Sequence, residues 1–291
     1  MTAPLLSVRD LRVHFDVDEG VVEAVDGVNF DVERGATVCV VGESGAGKTA
    51  TAESITRLLP EPPARLGGEV LVDGEDTLSM AERELRRVRG GTVAHVFQDP
   101  GASLNPVYSV GWQLREAIDL HCDPGVAARD RAIELLDRVG VPNAPVRIDD
   151  YPHEFSGGQQ GRIALAMALA GEPDLLVADE PTGALDAPTR LSILRLLSNL
   201  QSEFGLGILF VTHDLGVVAE IGDRVVVLHE GEVVERGGVH EVFESPTHPY
   251  TRSLLDSHPG RERRWTDEDG TPSDGEERSG DSGSDDEEGD R

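Results

Sequence analysis

Thr37-Val38-Cys39-Val40-Val41 runs directly into Gly42-Glu43-Ser44-Gly45-Ala46-Gly47-Lys48-Thr49. The first five residues form a short β-branched run of strand length, and the next eight fit the phosphate-binding-loop spacing at every fixed position. Residues 48–59 then read as a helix stopped by Pro60. Strand, glycine-rich turn and helix, in that order, give the pattern its mechanism. The glycines let backbone N–H groups converge on phosphates, and the helix N-terminus adds partial positive charge. Lys48 is expected to reach the β and γ phosphates and the Thr49 hydroxyl to bind Mg²⁺. Gly42, Glu43, Ser44, Gly45, Ala46, Gly47, Lys48 and Thr49 together are read as the cradle, the bland alternative being a flexible glycine-rich turn.

Outward from this stretch, strands alternate with helices. Residues 5–15 and 21–32 alternate apolar with polar and read as antiparallel strands near one edge. Residues 69–72 and 92–97 read as further strands, with Glu61-Pro62-Pro63 as a turn. Between 100 and 154 the pattern is mostly helical: Ala128, Ala132, Leu135 and Val139 share a face, with Gly140 and Pro142 placed to end the helix. Residues 163–169 are apolar nearly all round, as in a buried helix. Residues 175–178 form a continuous apolar strand of the kind buried parallel sheets need. Pro188 suits the first turn of a helix facing inward through Leu191, Leu194, Leu197 and Leu200. Residues 208–211 are another strand, and 225–228 with 233–234 a hairpin. The sum is an α/β core interrupted by a helical insertion, with antiparallel strands at its edge.

The strand at 175–178 delivers two adjacent carboxylates, Asp179 and Glu180, at its C-terminal end, where ligands bind in open α/β sheets. Neighbouring strand residues point in different directions, so the pair can divide the labour. Asp179 would face Mg²⁺, directly or through water, and Glu180 would orient and deprotonate an attacking water. Two solvated charges capping a strand is the plainer alternative.

Composition bounds the rest. The chain has 291 residues and a net charge of −29, with 25 arginines and a single lysine, Lys48. Such an acid excess argues against a nucleic-acid binder, which needs surplus Lys and Arg. Two cysteines cannot build a disulfide framework or a Cys-rich metal site. No apolar run is long enough for a membrane-spanning helix, and no export leader is expected at the N-terminus. Residues 265–291 carry a net −10 with no aliphatic residue, and read as a disordered acidic tail. The other 264 residues still carry −19. A folded body that acidic repels itself in dilute salt, and molar salt shortens the Debye length to ~3 Å, so the composition points to a halophile. A GC-rich genome would explain Arg for Lys but not the carboxylates.

Phe155-Ser156-Gly157-Gly158-Gln159, taken with the phosphate loop and Asp179-Glu180, resembles the nucleotide-binding subunit of ATP-binding cassette (ABC) transporters. The resemblance spans residues 5–259, with Gln98, Ala184-Leu185-Asp186 and His213 in family order. It implies an α/β phosphate-loop NTPase with a mixed core sheet, an antiparallel β subdomain and an inserted α-helical subdomain. An ATPase domain would occupy 1–244, with the insertion at 100–168 and a C-terminal extension at 245–264. The resemblance also implies a head-to-tail dimer in which Ser156, Gly157, Gly158 and Gln159 of one subunit close over ATP on the other. Read alone, Ser-Gly-Gly is a helix cap whose N–H groups make an anion site. By resemblance Gln98 would contact Mg²⁺ or the attacking water, and His213 would bond the γ-phosphate and hold Glu180. Asp186 would cross the dimer seam and Phe15 would stack on adenine. Their plain readings are a polar strand end, a structural histidine, a helix cap and core packing.

Two departures matter. Gly161 stands where the family more often has a second glutamine, which leaves the phosphate contacts of the signature intact but alters its surroundings. Ser245-Pro246-Thr247-His248-Pro249-Tyr250-Thr251, followed by Leu254-Leu255, is similar to the C-terminal stretch of peptide and nickel importer ATPases. Many of those continue with a cysteine-rich segment for an iron–sulfur cluster; no cysteine follows Cys122 here, so no cluster is expected. The expected protein is therefore a Mg-ATP-hydrolysing importer subunit at the cytoplasmic face of the membrane. Its partners would be a second ATPase subunit, two permease chains and, indirectly, an extracytoplasmic solute-binding protein. The competing readings are a soluble ABC ATPase of DNA repair or translation and a phosphate-loop kinase. The first usually carries a long coiled coil or two fused cassettes, and the second leaves the signature and His213 unused.

Overall fold

Two long strands, β1 (Leu6–Val17) and β2 (Gly20–Val32), pair antiparallel from Leu6↔Val32 to Val17↔Gly20. They belong to a computed structural model that describes residues 3–121, 127–183 and 185–257. The acidic tail read at 265–291, the end of the extension from 258, Cys122 and Ala184 lie outside the described residues. After β3 (Thr37–Val41) the chain enters α1 (Lys48–Ser54), then β4 (Ala64–Val72), β5 (Glu75–Asp76), α2 (Glu82–Val88) and β6 (Val93–Val96). The helices α3 (Val110–His121), α4 (Ala128–Arg138), α5 (Ala144–Arg147) and α6 (Gly157–Ala168) precede β7 (Leu175–Asp179). The remainder runs α7 (Ala187–Phe204), β8 (Gly207–Thr212), α8 (Leu215–Ile221), β9 (Arg224–His229), β10 (Glu232–Gly238), α9 (Val239–Glu244) and α10 (Pro249–Asp256).

The strands make two sheets. The first, in the order β2-β1-β4-β5, is antiparallel throughout; the second, β10-β9-β3-β8-β7-β6, is parallel except for β10 at its edge. Period-2 alternation explains the layers, because strands buried on both faces send successive side chains into different cores. Val38 and Val40, Leu175 and Val177, and Leu209 and Val211 pack toward the antiparallel sheet and α1. Cys39 and Val41, Leu176 and Ala178, and Ile208 and Phe210 pack toward the helices on the other side. Each fully buried Leu, Val or Phe contributes roughly 1.5–3 kcal/mol by leaving water. The helices between β6 and β7 share that second core through Leu114, Leu135, Leu136, Ile148 and Ile163.

The expected α/β architecture, with its antiparallel sheet and helical insertion, is observed; several boundaries differ, among them the start of the helix read over 163–169, which is α6 and begins at Gly157. The helix read over 48–59 ends at Ser54. Ser54 Oγ donates back to Ala50 O at 2.6 Å, a local bond that competes with helix propagation. The carbonyls released beyond it are taken elsewhere: Thr77 Oγ1 donates to Ile55 O, and Arg89 donates to Thr56 O and Arg57 O. The strand read from residue 69 begins at Ala64, because β1 pairs with it as far as Phe15↔Ala64.

Candidate active site

Parallel pairing of β3 with β8 and of β8 with β7 aligns their C-terminal ends, so Gly42, Asp179 and the turn after Thr212 meet along one edge. The loop at 42–49 leaves no room for larger residues at two points. A Cβ on Gly42 would stand 2.3 Å from Leu228 O, and one on Gly47, at φ +95°, 2.3 Å from Ala24 O. Only glycine takes that left-handed conformation while the backbone packs so close.

Lys48 is 7% exposed. Its Nζ donates to Gly42 O and to Glu43 O, each at 2.9 Å, so the ammonium sits across the mouth of the loop. Burial lowers its pKa from the ordinary lysine value, against the pull of Glu180 and Asp179. Asp179 is 9% exposed, and burial raises its carboxyl above the usual range; the Thr49 hydroxyl and Lys48 oppose the shift, while Glu180 adds to it. Asp179 Oδ1 is buried without a hydrogen-bond partner. An orphaned carboxylate oxygen beside a hydroxyl and an ammonium fits a hard divalent cation completed by phosphate oxygens and water. Among the described residues no cluster of three or more His, Cys, Asp or Glu could hold a metal, so a cation here would depend on the bound phosphates.

Glu180 turns the other way. Its backbone is left-handed, at φ +45°, while its N–H still donates to Val211 O at 2.9 Å. A non-glycine residue in that region stores roughly 1–3 kcal/mol of strain and persists where its surroundings over-determine it. His213 Nδ1 lies 2.9 Å from Glu180 Oε1, and Gln98 Nε2 donates to Oε2 at 3.3 Å. The two carboxylate oxygens are thus held by groups from different segments, the end of β8 and the end of β6. The Glu180 side chain is 16% exposed and the His213 side chain 63%, so the clasp is buried on the protein side and open on the other.

The remaining expected residues stand apart from this cluster. Ser156 caps α6: its Oγ accepts from Gln159 N, and Gln159 Oε1 accepts from Ser156 N at 3.1 Å and from Arg147. Gln159 is thereby engaged in the cap and with Arg147, while Ser156 and Gly157 remain exposed at the helix start. Asp186 caps α7 by accepting from Thr189 N at 2.9 Å, which depresses its pKa. Phe15 is partly buried against the core beneath the antiparallel sheet. Two contacts escaped the sequence reading. Arg190, on the first turn of α7, pairs with Asp214, which caps α8 immediately after His213. Tyr250 accepts the Glu43 N–H through its hydroxyl at 3.0 Å. Both contacts join residues far apart in sequence, and periodicity carries no trace of either.

Comparison with known proteins gives consistent results. The family profile described as ABC transporter matches residues 25–183. The oligopeptide transport ATP-binding protein OppD of Bacillus subtilis is 46% identical over 276 residues, covering 93% of this chain and 77% of that protein. The peptidoglycan transport ATP-binding protein YejF of Agrobacterium fabrum is 48% identical over 268 residues, 91% of this chain and 49% of that one. Among solved structures, the dimeric post-hydrolysis state of the ATP-binding cassette MJ0796 bound to ADP and Pi superposes with a TM-score of 0.71 at 30% identity, over 80% of this chain and 98% of that one.

Proposed function

This chain belongs to the ABC transporter family as an ATP-binding subunit and ATPase, and from that premise we propose that it powers uptake of peptides or a related solute through separate membrane permeases. The substrate class is supported by the relatives, one an oligopeptide and one a peptidoglycan transport protein. Those transport roles do not favour a place in DNA repair or translation.

The observation that carries the chemistry is the clasp on Glu180, whose two oxygens meet His213 and Gln98 beside the buried Lys48 and Asp179. In this reading the N–H groups of 44–49 and Lys48 bind the β and γ phosphates, which the loop's close packing pre-organises. Thr49, Asp179 and Gln98 would hold Mg²⁺, and the bound ion supplies charge neutralisation at the phosphate oxygens. Glu180 orients a water and takes its proton; His213 keeps the carboxylate aimed and donates toward the γ-phosphate. Phe15 offers a face to adenine. Ser156, Gly157 and Gly158 cover ATP on a second copy or a paralogue, with Asp186 near the seam; the dimeric form of a 30%-identical cassette supports this arrangement. Among the described residues no helix is long and apolar enough to cross a membrane, so attachment to the membrane's cytoplasmic face would be through the permeases. The acid excess adds that the subunit works in concentrated salt.

Glu180→Gln keeps the size and polarity of the side chain but cannot accept the proton. Steady-state turnover should fall by at least ~100-fold while ATP binding persists and an ATP-loaded dimer accumulates on gel filtration. Hydrolysis at the wild-type rate would remove Glu180 from the role of base.

A further inference from the structure

The Gly42–Glu43 peptide unit is gripped at both ends. Its carbonyl, Gly42 O, accepts from Lys48 Nζ at 2.9 Å, and its N–H, on Glu43, donates to Tyr250 Oη at 3.0 Å. Tyr250 stands 207 residues away in sequence, on α10. Nothing in phosphate-loop chemistry asks for a phenol at this point.

The phenol is well anchored. Its ring stacks on His229 with centroids 3.9 Å apart and planes 24° from parallel. His229 ends β9, one residue after Leu228, whose carbonyl presses against Gly42. Helix α10 is seated by Leu255, buried, and by Leu254 and Tyr250 against the core. The segment leading to it is tied to β10: Glu235 accepts from Thr247 N at 2.6 Å, Thr247 Oγ1 at 2.8 Å and His248 N at 3.1 Å. Arg252 closes the turn by donating to Pro246 O and Thr247 O. His248 Nδ1 accepts from Tyr250 N, capping α10.

We infer that Tyr250 is a positioning residue for ATP binding, holding the Gly42–Glu43 peptide so that the loop presents Lys48 and its N–H groups to the phosphates. The inference rests on reading 42–49 as the ATP phosphate loop. Hydrogen bonds through one amide polarise each other, so an acceptor on the N–H strengthens the carbonyl's hold on Lys48. The segment 245–257 is then a working part of the nucleotide site rather than an appendix to the domain. Loss of the phenol oxygen leaves a donor without its partner and frees the first peptide of the loop to rotate.

Tyr250→Phe in the full chain removes that oxygen and keeps the ring on His229. ATP affinity, measured by titration with Mg-ATP, should weaken roughly three- to tenfold, the worth of one hydrogen bond. KM for ATP should rise in step, with kcat within about twofold, since the Glu180 clasp is untouched. Backbone amides of 42–49 should exchange faster with deuterated solvent, while the melting temperature without nucleotide falls by no more than about 2–4 °C, the worth of the same single bond. Wild-type affinity, KM and exchange in Tyr250→Phe would overturn the inference, and so would a lowered melting temperature with affinity per folded molecule unchanged. Lys48→Ala in the same titration separates the two readings. If it binds ATP like the wild type, the phosphate-loop assignment fails and takes this inference with it. If it loses binding while Tyr250→Phe does not, Tyr250 alone fails.

Discussion

Lys48 shows how much one side chain can be asked to do when its replacement is excluded by shape. Of the 26 lysine and arginine residues of the chain, every other one is arginine. At this point the cation sits 7% exposed between two carbonyls 2.9 Å from a single nitrogen, a geometry made for a compact ammonium with three donors. A planar guanidinium is larger and its N–H directions are fixed in one plane, whereas the compact ammonium can turn its three donors toward both carbonyls and a phosphate. Lys48→Arg, though it preserves charge in a protein that otherwise prefers arginine, should therefore weaken Mg-ATP binding by about tenfold or more in equilibrium titration. Affinity close to wild type would mean that charge alone, not shape, selects the residue. This much was legible in the sequence, since the loop spacing and the lone lysine coincide. The carboxylate pair was legible too, as two acids at the end of an apolar run; the left-handed turn that sends Glu180 away from Asp179 was not.

At the scale of elements, the start of α6 makes two separable demands. Its cap satisfies the chain's own backbone, with Ser156 and Gln159 exchanging hydrogen bonds. Its first residues, Ser156 and Gly157, are nevertheless left exposed. A Cβ on Gly157 would meet no atom within 4 Å, so a side chain there is tolerated by this fold. Gly157→Asp should leave the folding stability within about 0.5 kcal/mol of wild type. The added carboxylate would, however, oppose a γ-phosphate brought by a second copy. ATP-driven dimerisation by light scattering, and turnover with it, should be lost while single-subunit ATP binding remains. Intact dimerisation would move the seam elsewhere. The central strands could be read from sequence because burial on both faces makes them continuous apolar runs. The end of α1 could not, because it is decided by Thr77 and Arg89, which claim the freed carbonyls from outside the local pattern. Tyr250 was visible as part of a C-terminal motif, but its contact with Glu43 depends on how β9 and α10 pack.

For the whole molecule, charge is the dominant long-range term. The first 264 residues carry −19, and the ion pairs on the described surface join arginines to only some of the carboxylates. Exposed pairs of this kind contribute little individually, about 0–1 kcal/mol, and cannot offset repulsion spread over the body. Screening can, since the Debye length falls from about 10 Å at 0.1 M salt to about 3 Å at 1 M. The melting temperature should climb between 0.1 M and 2 M KCl, by roughly 2–4 °C for each kcal/mol of repulsion removed. Full stability in dilute buffer would detach the acid excess from salt while leaving the ATPase reading intact.

The arginine-for-lysine composition has one more outcome, and it concerns reagents rather than ligands. Apart from a chain terminus, Lys48 is the sole primary amine in the protein. Acetyl donors, reducing sugars and amine-seeking crosslinkers therefore have no lysine to attack on the broad acidic surface. The single lysine they could acylate lies recessed against the carbonyls of Gly42 and Glu43, its basicity lowered by burial, and in the proposed site bound nucleotide would block its approach. For this molecule, side-chain amine chemistry and occupancy of the proposed ATP site would then be one measurement.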